Sequence, residues 1–253
     1  MKTIAIVNQK GGVGKTPTAI NLGYALARAR YQVLFVDIDP QASMSQHFLG
    51  ERWKDQQPTL YNALVTLTPM APLPITERMA FLPCHDELTE AEIKLPKMTH
   101  GYYQPRLAML LKNYPMYDYV VVDTPGNVSI FTTIALTAAH LALVPAKPEL
   151  ASERSTRDIL ELIEDIRTGG LNPSLETWGI LPTLFQSHVA HHKEILAMMQ
   201  EKYKDLLYPE PSRQTTKYND ATALKADVSV LDAELGKYWD RVAAHVRGKA
   251  GKS

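Results

Sequence analysis

A run rich in glycine and lysine near the start of the chain could bind a phosphate group. Residues 8–18 read Asn-Gln-Lys-Gly-Gly-Val-Gly-Lys-Thr-Pro-Thr. Glycines let the backbone approach an anion closely and adopt positive φ, so that consecutive N–H groups can converge on a phosphate. Lys15 would then reach the β- and γ-phosphates of a nucleotide, and the Thr16 hydroxyl would face Mg²⁺. The residues expected to contact the nucleotide are Lys10, Gly11, Gly12, Val13, Gly14, Lys15, Thr16, Pro17 and Thr18.

Three aspartates end two other apolar runs and could complete such a site. Asp37 and Asp39 follow residues 33–36, and Asp123 follows residues 119–122. Parallel strands would bring these carboxylates beside the glycine-rich run, at the edge where doubly wound sheets bind ligands. Asp39 could then orient or activate a water molecule, because phosphoryl transfer depends mainly on positioning and charge. For each aspartate taken alone, a strand end that caps the next helix is the alternative.

These groups can meet only if strands and helices alternate along the chain. Short apolar, β-branched runs predict strands, and longer stretches with helical spacing predict helices. The predicted strands are residues 3–7, 33–36, 80–82, 119–122, 141–145 and 178–181. The predicted helices are residues 18–29, 104–113, 130–139, 152–167, 189–203 and 231–246. The alternation indicates an α/β fold, in which a doubly wound, mostly parallel sheet carries helices on both faces.

Length and composition limit the other possibilities. The chain has 253 residues, 45% of them hydrophobic, so residues 1–253 can form a single domain around one core. Two polar stretches, residues 50–60 and 84–103, are interpreted as irregular surface excursions. Cys84 is the only cysteine, which excludes an intrachain disulfide and an iron–sulfur cluster held by this chain alone. No signal-peptide pattern is apparent, and no apolar run approaches the ~20 residues of a membrane-spanning helix, so a cytoplasmic location is expected.

The glycine-rich run is similar to a known family motif. Lys-Gly-Gly-Val-Gly-Lys-Thr at residues 10–16 resembles the deviant Walker A box of the ParA/MinD ATPases, and the chain looks closest to ParA/Soj-type partition ATPases. The segments at 36–42 and 117–125 also resemble that family. The resemblance implies a P-loop NTPase fold, ATP and Mg²⁺ as ligands, and an ATP-dependent homodimer. It further implies that Lys10 is a signature lysine that reaches the nucleotide of the partner subunit.

The resemblance also assigns roles to the remaining acidic residues. Asp39 matches the residue that orients the attacking water, so that Lys10, Lys15 and Asp39 form the expected catalytic set. Asp37 matches a carboxylate of the magnesium shell, and Asp123 matches the Walker B position near Mg²⁺. With Thr16, these two carboxylates form the expected metal site.

Two positions depart from the family pattern. Pro17 stands where the family usually has threonine, and proline has no backbone N–H to offer the α-phosphate. Nucleotide binding is therefore expected to be weaker than with threonine at this position. Gly126 stands where a second proline commonly follows Pro125, and it predicts a more flexible turn.

Nonspecific DNA and a ParB-like or other adaptor protein are the partners that the resemblance implies. Arg213 matches a family arginine, and Lys217 and Lys225 lie close by in the sequence, so these three residues are candidates for DNA contact. Pro209 and Pro211 resemble a loop that borders the adenine. The formal net charge is zero, so DNA binding would require a local basic patch, which dimerisation would double. The ATP-bound form would then be associated with the nucleoid.

Several alternatives remain open from the sequence. The same chemistry could position a protein cargo, such as a chemoreceptor cluster or a microcompartment, and a ligase that phosphorylates a carboxylate could share the fold. A MinD-like membrane helix is conceivable at the C-terminus, but a helix packed on the sheet is favoured. The apolar stripe in question is Leu235, Tyr238, Trp239, Val242 and Val246. A metal held by His188, His191 and His192 is a further, disfavoured possibility.

Overall fold

A central sheet of seven strands organises the molecule. The computed structural model describes residues 1–55, 59–85 and 87–250. The strands are β1 (Lys2–Ile6), β2 (Val33–Asp37), β3 (Leu73–Thr76), β4 (Met79–Leu82), β5 (Tyr119–Asp123), β6 (Leu141–Ala146) and β7 (Glu176–Pro182). Their order across the sheet is β3-β4-β2-β5-β1-β6-β7. Every neighbouring pair is parallel except β3 with β4, so the carboxyl ends of six strands share one edge.

Helices cover both faces of this sheet. They are α1 (Lys15–Arg28), α2 (Ser43–Leu49), α3 (Leu60–Thr66), α4 (Leu88–Met98), α5 (Arg106–Leu111), α6 (Ile130–Ala138), α7 (Leu150–Thr168), α8 (Ala190–Tyr203), α9 (Lys217–Ala223) and α10 (Ala233–Ala250). Helices α1 and α10 pack in one apolar core, whereas α3 to α8 contribute to the other. The predicted α/β fold with helices on both faces is thereby confirmed.

One predicted irregular stretch is wrong. Within residues 84–103 the chain forms α4, whose Leu88, Ala91 and Leu95 are fully buried in the core. These three residues have helical spacing, but Pro96 inside the helix and the exposed apolar residues Ile93 and Met98 obscured it. In the other stretch, residues 50–55 form a short 3-10 helix and α3 begins at Leu60, while residues 56–58 lie outside the described residues.

The antiparallel edge strand β3 was not predicted from the sequence. It has four residues, of which only Leu73 and Ile75 are partly buried, and Pro74 interrupts the run. So short a strand at a sheet edge leaves little periodic signal, and proline is tolerated there.

The apolar stripe of α10 is buried in the protein. Leu235, Tyr238, Trp239, Val242 and Val246 are each at most 4% exposed and pack with the core formed by α1 and the sheet. The favoured interpretation, a terminal helix packed on the sheet, is therefore confirmed. Within the described ranges no helix combines the length and apolar character that crossing a membrane requires.

Two of the three histidines near α8 have contacts other than a shared metal position. His192 is buried, and its Nδ1 accepts a hydrogen bond from the N–H of Gln186. His191 instead faces Glu194 at 3.9 Å on the same helix. In the part of the chain that the structure describes, no three His, Cys, Asp or Glu side chains are arranged to hold a metal ion.

Candidate functional site

The glycine-rich loop joins β1 to α1 at the carboxyl edge of the sheet. Gly14 caps α1 with φ of 85° and Gly12 has φ of 73°, conformations that glycine adopts without steric cost. The first regular helical bond runs from the Thr18 N–H to the Gly14 carbonyl oxygen at 3.0 Å. The N–H groups before Thr18 have no helical acceptor, so the start of α1 is suited to bind an anion.

Polar side chains from neighbouring segments fix the shape of this loop. The Asn8 amide donates to the Pro145 carbonyl oxygen at 2.7 Å and its oxygen accepts the Lys10 N–H at 3.0 Å. The Thr183 hydroxyl donates to the Val13 carbonyl oxygen at 2.7 Å. Asn8 and Thr183 were missed in the sequence because their role depends on partners distant along the chain.

Lys15 lies inside the loop and is only 7% exposed. Its Nζ donates to the carbonyl oxygen of Lys10 at 3.1 Å. Burial lowers the pKa of Lys15, while the charges of Asp123 and Asp39 act in the opposite direction. A buried ammonium next to free backbone N–H groups is an arrangement that favours a polyanionic ligand such as a triphosphate.

Asp123 lies beside Asp37, because β2 and β5 are paired in register at these two residues. The Thr16 hydroxyl donates to Oδ2 of Asp123 at 2.6 Å. Oδ1 of Asp123 is buried, and it has no hydrogen-bond partner among the residues that the structure describes. Burial, followed by the charge of Asp37, raises the pKa of Asp123 well above its usual value.

Asp37 is held by the first turns of α2. Its Oδ2 accepts hydrogen bonds from the Ser45 N–H at 2.8 Å and the Ser45 hydroxyl at 2.7 Å. Burial raises the pKa of Asp37 to about 7 despite these hydrogen bonds. Because Ser45 also accepts the Cys84 N–H at 2.9 Å, Asp37 ties β2, α2 and the end of β4 together.

The donor set at Asp123 fits Mg²⁺. A buried carboxylate oxygen without a partner is costly unless a cation or a proton compensates it. Mg²⁺ in phosphate-binding sites typically takes one or two carboxylates together with phosphate and water oxygens, which agrees with the hydroxyl of Thr16 and the carboxylates of Asp123 and Asp37. These residues would hold the ion, which would neutralise negative charge on the phosphates when bound.

Asp39 extends beyond the end of β2 towards the loop. Its N–H donates to Oδ1 of Asp37 at 3.2 Å, and its own Oδ1 accepts the Gln41 N–H at 3.0 Å. Asp39 is 9% exposed, and burial raises its pKa, with Gln41 and Lys15 acting in the opposite direction. The electrostatic influence of Lys15 on Asp39 is consistent with the convergence predicted from the sequence.

Lys10 forms an ion pair within its own chain. Its Nζ lies 2.9 Å from Oε2 of Glu149, and the Nζ of Lys147 lies 2.5 Å from the other oxygen of the same carboxylate. Hydrogen bonds from Lys147 and Lys10 lower the pKa of Glu149 to about 2. The ion pairs of Glu149 and Lys147 were not predicted from the sequence, although both residues come shortly after β6, as Asp39 comes shortly after β2.

Gly126 packs closely against the loop. A side-chain carbon at this position would lie 3.1 Å from Cα of Gly11 and 3.4 Å from Nζ of Lys15. Glycine therefore lets the turn after β5 contact the phosphate loop directly. This close packing is a steric reason for glycine here, in addition to the flexibility expected from the sequence.

Pro17 is the third residue of α1, and its carbonyl oxygen accepts a hydrogen bond from the Asn21 amide at 2.7 Å. The N–H groups of the first turn have no helical acceptor, so proline costs α1 no hydrogen bond. It does remove one donor from the end of the loop.

We expect Pro17→Thr to tighten ATP binding by about 1.5–3 kcal/mol, the value of a hydrogen bond to a charged acceptor. Calorimetric titration of ATP and Mg²⁺ into both proteins measures the difference. Equal affinities would show that the missing N–H has no effect on nucleotide binding.

The two prolines expected near the adenine lie in different surroundings. Pro209 lines a cavity of about 250 Å³ together with Trp178, and Pro211 lines a smaller one of about 190 Å³ together with Arg213. A third cavity, of about 290 Å³, borders the loop and is lined by Thr16, Pro17, Ile20, Asn21, Ser43, His47, Tyr218, Ala221, Thr222 and Ala226. A role for Pro209 and Pro211 at the adenine stays a prediction.

The three candidate DNA-binding cations make contacts within the chain. Arg213 and Lys217 both pair with the carboxylate of Asp232, with Lys217 at 2.7 Å. The Nζ of Lys225 donates to the Leu49 carbonyl oxygen at 3.1 Å. Two cations that share one carboxylate leave one positive charge in excess, and the Arg213 side chain remains 54% exposed. DNA contact by these residues also stays a prediction.

Comparisons with known proteins agree with this geometry. A family profile described as AAA domain matches residues 1–177. The chain is 31% identical over 237 residues to the chromosome partitioning protein ParA of Caulobacter vibrioides, covering 92% of this chain and 88% of that protein.

Two solved structures extend the likeness to three dimensions. A Cyanothece McdA variant in complex with ATP has a TM-score of 0.86 at 26% identity. The match covers 97% of this chain and 96% of the McdA chain. A Mycobacterium smegmatis cobyrinic acid a,c-diamide synthase with bound ADP and magnesium has a TM-score of 0.77 at 29% identity. The match covers 94% of this chain and 95% of the synthase chain. On the profile match over residues 1–177, the ParA relative and these structural likenesses, the chain belongs to the ParA/MinD family of P-loop ATPases.

Proposed function

We propose that this chain is a partition ATPase in which ATP binding drives homodimerisation and nonspecific DNA binding, and hydrolysis reverses both. The observation that carries the proposal is the buried Lys15 inside a glycine-rich loop whose Thr16 hydroxyl donates to the strand-end carboxylate of Asp123 at 2.6 Å. A buried ammonium, free N–H groups and strand-end carboxylates are the parts that phosphoryl transfer requires. The ParA relative supports partition as the process that this chemistry serves.

Each residue of the site has a distinct role in this proposal. Lys15 and the loop N–H groups bind the β- and γ-phosphates, and Asp39 orients the water that attacks the γ-phosphate. Thr16, Asp37 and Asp123 would hold Mg²⁺. Because Asp37 is also bonded to Ser45 and Asp39 follows it directly, a change at the phosphates can move the first turn of α2.

The position of Lys10 at the outer edge of the loop supports dimerisation through this residue. Its side chain is 29% exposed, and the neighbouring Gly11 and Gly12 are also exposed, so this part of the loop faces solvent in the monomer. A second subunit could cover it. We propose that Lys10 then contacts the nucleotide of the partner subunit, so that only a triphosphate is long enough to join both chains.

DNA binding would depend on the dimer. The shared carboxylate of Asp232 leaves Arg213 and Lys217 with one excess charge per chain, which is little for a polyanion. Two copies in a two-fold dimer double this charge and place both patches on one particle. We further propose a ParB-like adaptor as partner, and a cytoplasmic location that becomes nucleoid-associated in the ATP-bound form.

Binding to a labelled duplex of arbitrary sequence tests this proposal. Fluorescence anisotropy with a non-hydrolysable ATP analogue should show binding that is absent with ADP and that weakens steeply as salt is raised. Arg213→Gln should reduce the slope of log K against log salt by about one unit or less per chain. Lys237→Gln, which removes an exposed lysine paired with Glu234, is the matched control. Binding that is equal with ADP, or that salt does not weaken, would contradict the proposal.

Two related functions use the same site. The McdA likeness favours a positioning ATPase for a protein cargo as the alternative, and its nucleotide and dimer chemistry would be the same. The likeness to the cobyrinic acid a,c-diamide synthase favours a ligase as the other alternative. A ligase would turn over ATP only with a carboxylate substrate, whereas a partition ATPase should be stimulated by DNA and its adaptor protein.

A further inference from the structure

Glu149 lies between two lysines at the edge of the phosphate loop. One of its oxygens is 2.9 Å from Nζ of Lys10, and the other is 2.5 Å from Nζ of Lys147. The three side chains are between 26% and 33% exposed, so they are neither fully solvated nor buried. The Lys10–Glu149 pair joins the loop after β1 to the junction between β6 and α7.

The backbone holds Glu149 in place for this contact. The Lys147 N–H donates to the Ser152 hydroxyl at 3.1 Å, and the Glu149 N–H donates to the Lys147 carbonyl oxygen at 2.7 Å. Pro148, between them, fixes its own φ and restricts Lys147. Glu149 is the N-cap residue of α7, its backbone is extended, and its side chain makes no capping hydrogen bond; the helix dipole favours a negative charge at this position. The carboxylate is thus positioned before Lys10 reaches it.

Lys10 is required at the dimer interface if the proposed function is correct. In the dimer Lys10 would contact the partner's nucleotide, and one ammonium cannot contact both that nucleotide and Glu149 of its own chain in the same way. We propose that Glu149 is a positioning residue that retains Lys10 on its own subunit, so that the ATP-dependent dimer forms only when this ion pair is broken. The inference rests on the proposed function, and it adds a residue that sets the threshold for dimerisation.

Nucleotide binding has a direct structural link to this ion pair. Nζ of Lys15 donates to the carbonyl oxygen of Lys10, the residue whose side chain Glu149 holds. A triphosphate in the loop would compete for Lys15 and weaken that bond. The backbone at Lys10 would then be freer to turn its side chain towards a partner subunit.

Two-fold symmetry increases the effect of this weak ion pair on dimerisation. A partly exposed pair of this kind changes an equilibrium by about 2- to 5-fold. A two-fold dimer breaks two such pairs, so the effects multiply, and we expect a change of about 4- to 25-fold in the dimerisation constant.

Glu149→Gln tests the inference, because it removes the charge and keeps the shape. Sedimentation velocity at fixed protein concentration gives the concentration of a non-hydrolysable ATP analogue at which half of the protein is dimeric. This concentration should fall in Glu149→Gln. Glu153→Gln, one helical turn further along α7 and paired with Lys202, is the matched control and should leave it unchanged.

A second variant should act in the opposite direction. Lys147→Gln removes the competing lysine and leaves the Glu149 carboxylate to Lys10, so more analogue should be needed for dimerisation. An unchanged or weaker dimer in Glu149→Gln would overturn the inference. A stronger dimer in both variants would also overturn it. Lys147→Gln is expected to strengthen the Lys10–Glu149 pair and therefore to weaken the dimer.

Amine labelling of Lys10 separates this inference from the proposed function. Acylation in the ADP form, quantified by mass spectrometry of the peptide that contains Lys10, requires no dimer. The rate should rise in Glu149→Gln and remain unchanged in Glu153→Gln, whereas an unchanged rate in Glu149→Gln would contradict the retention of Lys10. If the wild-type protein binds the analogue but never dimerises, the proposed function fails while the labelling result still reports on Glu149.

Discussion

Replacement of Asp39 by asparagine is expected to lower the rate of ATP hydrolysis by about 10²- to 10⁴-fold, the usual contribution of a positioned acid–base group. Asp39 is nearly buried at the end of β2, and burial raises its pKa while Lys15 and the Gln41 N–H act against that rise. Asparagine keeps the shape and can still accept the Gln41 N–H, but it cannot accept a proton from water. ATP binding should therefore remain, and ATP-joined dimers should accumulate.

Single-turnover hydrolysis and equilibrium ATP binding, measured on the same preparation, check this prediction. Asp118→Asn is a suitable control. Asp118 directly precedes β5, at the amino ends of the strands and away from the loop, and it accepts the Gln32 N–H. An Asp39→Asn protein that hydrolyses ATP at the wild-type rate would show that another group orients the water.

Replacement of Lys15 by alanine is expected to weaken ATP binding by at least about 100-fold. Lys15 is the buried ammonium of the loop, and the triphosphate would lose its charged partner there. Removing one member of a buried charge pair costs about 3–5 kcal/mol, and about 2.8 kcal/mol already corresponds to 100-fold. Hydrolysis and dimerisation should both be lost at ATP concentrations that saturate the wild-type protein.

Titration with a fluorescent ATP analogue measures this loss directly. Lys94→Ala removes an exposed lysine on α4 that pairs with Glu90, and it should bind as the wild-type protein does. Circular dichroism should show that Lys15→Ala remains folded, because the interactions of Lys15 with the Lys10 carbonyl oxygen and the nearby carboxylates are local to the loop. Retained affinity in a folded Lys15→Ala protein would exclude the loop as the phosphate site.

The phosphate loop and the strand-end aspartates could be predicted because their signals are local. Gly14 needs positive φ where a strand turns into a helix, and Asp37 and Asp123 directly follow buried apolar runs. A parallel sheet then brings both carboxylates together without any further information, since β2 and β5 pair at these residues. Fold class follows from the same alternation of strands and helices.

Contacts between distant segments could not be predicted in this way. Lys10 and Glu149 are 139 residues apart, and nothing in either local sequence identifies the other as a partner. Likewise, the sequence shows Arg213 and Lys217 close together but gives no sign that Asp232 neutralises part of their charge. Such pairs depend on which loops meet at the edge of the sheet, and that is known only once the strand order is known.

Helix α4 was missed for a different reason. Its buried apolar residues recur about once per turn, but the apolar residues Ile93 and Met98 are exposed and Pro96 lies inside the helix. Apolar residues on the solvent face and a proline in the interior make the helical period of this segment hard to recognise in the sequence. The burial of Leu88 and Leu95 is therefore decided by tertiary packing and not by local propensity.

The mass of the protein in solution, with each nucleotide, tests the central claim most directly. Light scattering coupled to size exclusion should give monomers with ADP and dimers with a non-hydrolysable ATP analogue. Lys10→Ala should still bind the analogue but remain monomeric, because it lacks the ammonium that would reach the second nucleotide. A wild-type protein of the same mass with both nucleotides, or a Lys10→Ala protein that dimerises as readily as wild type, would contradict nucleotide-driven dimerisation through Lys10.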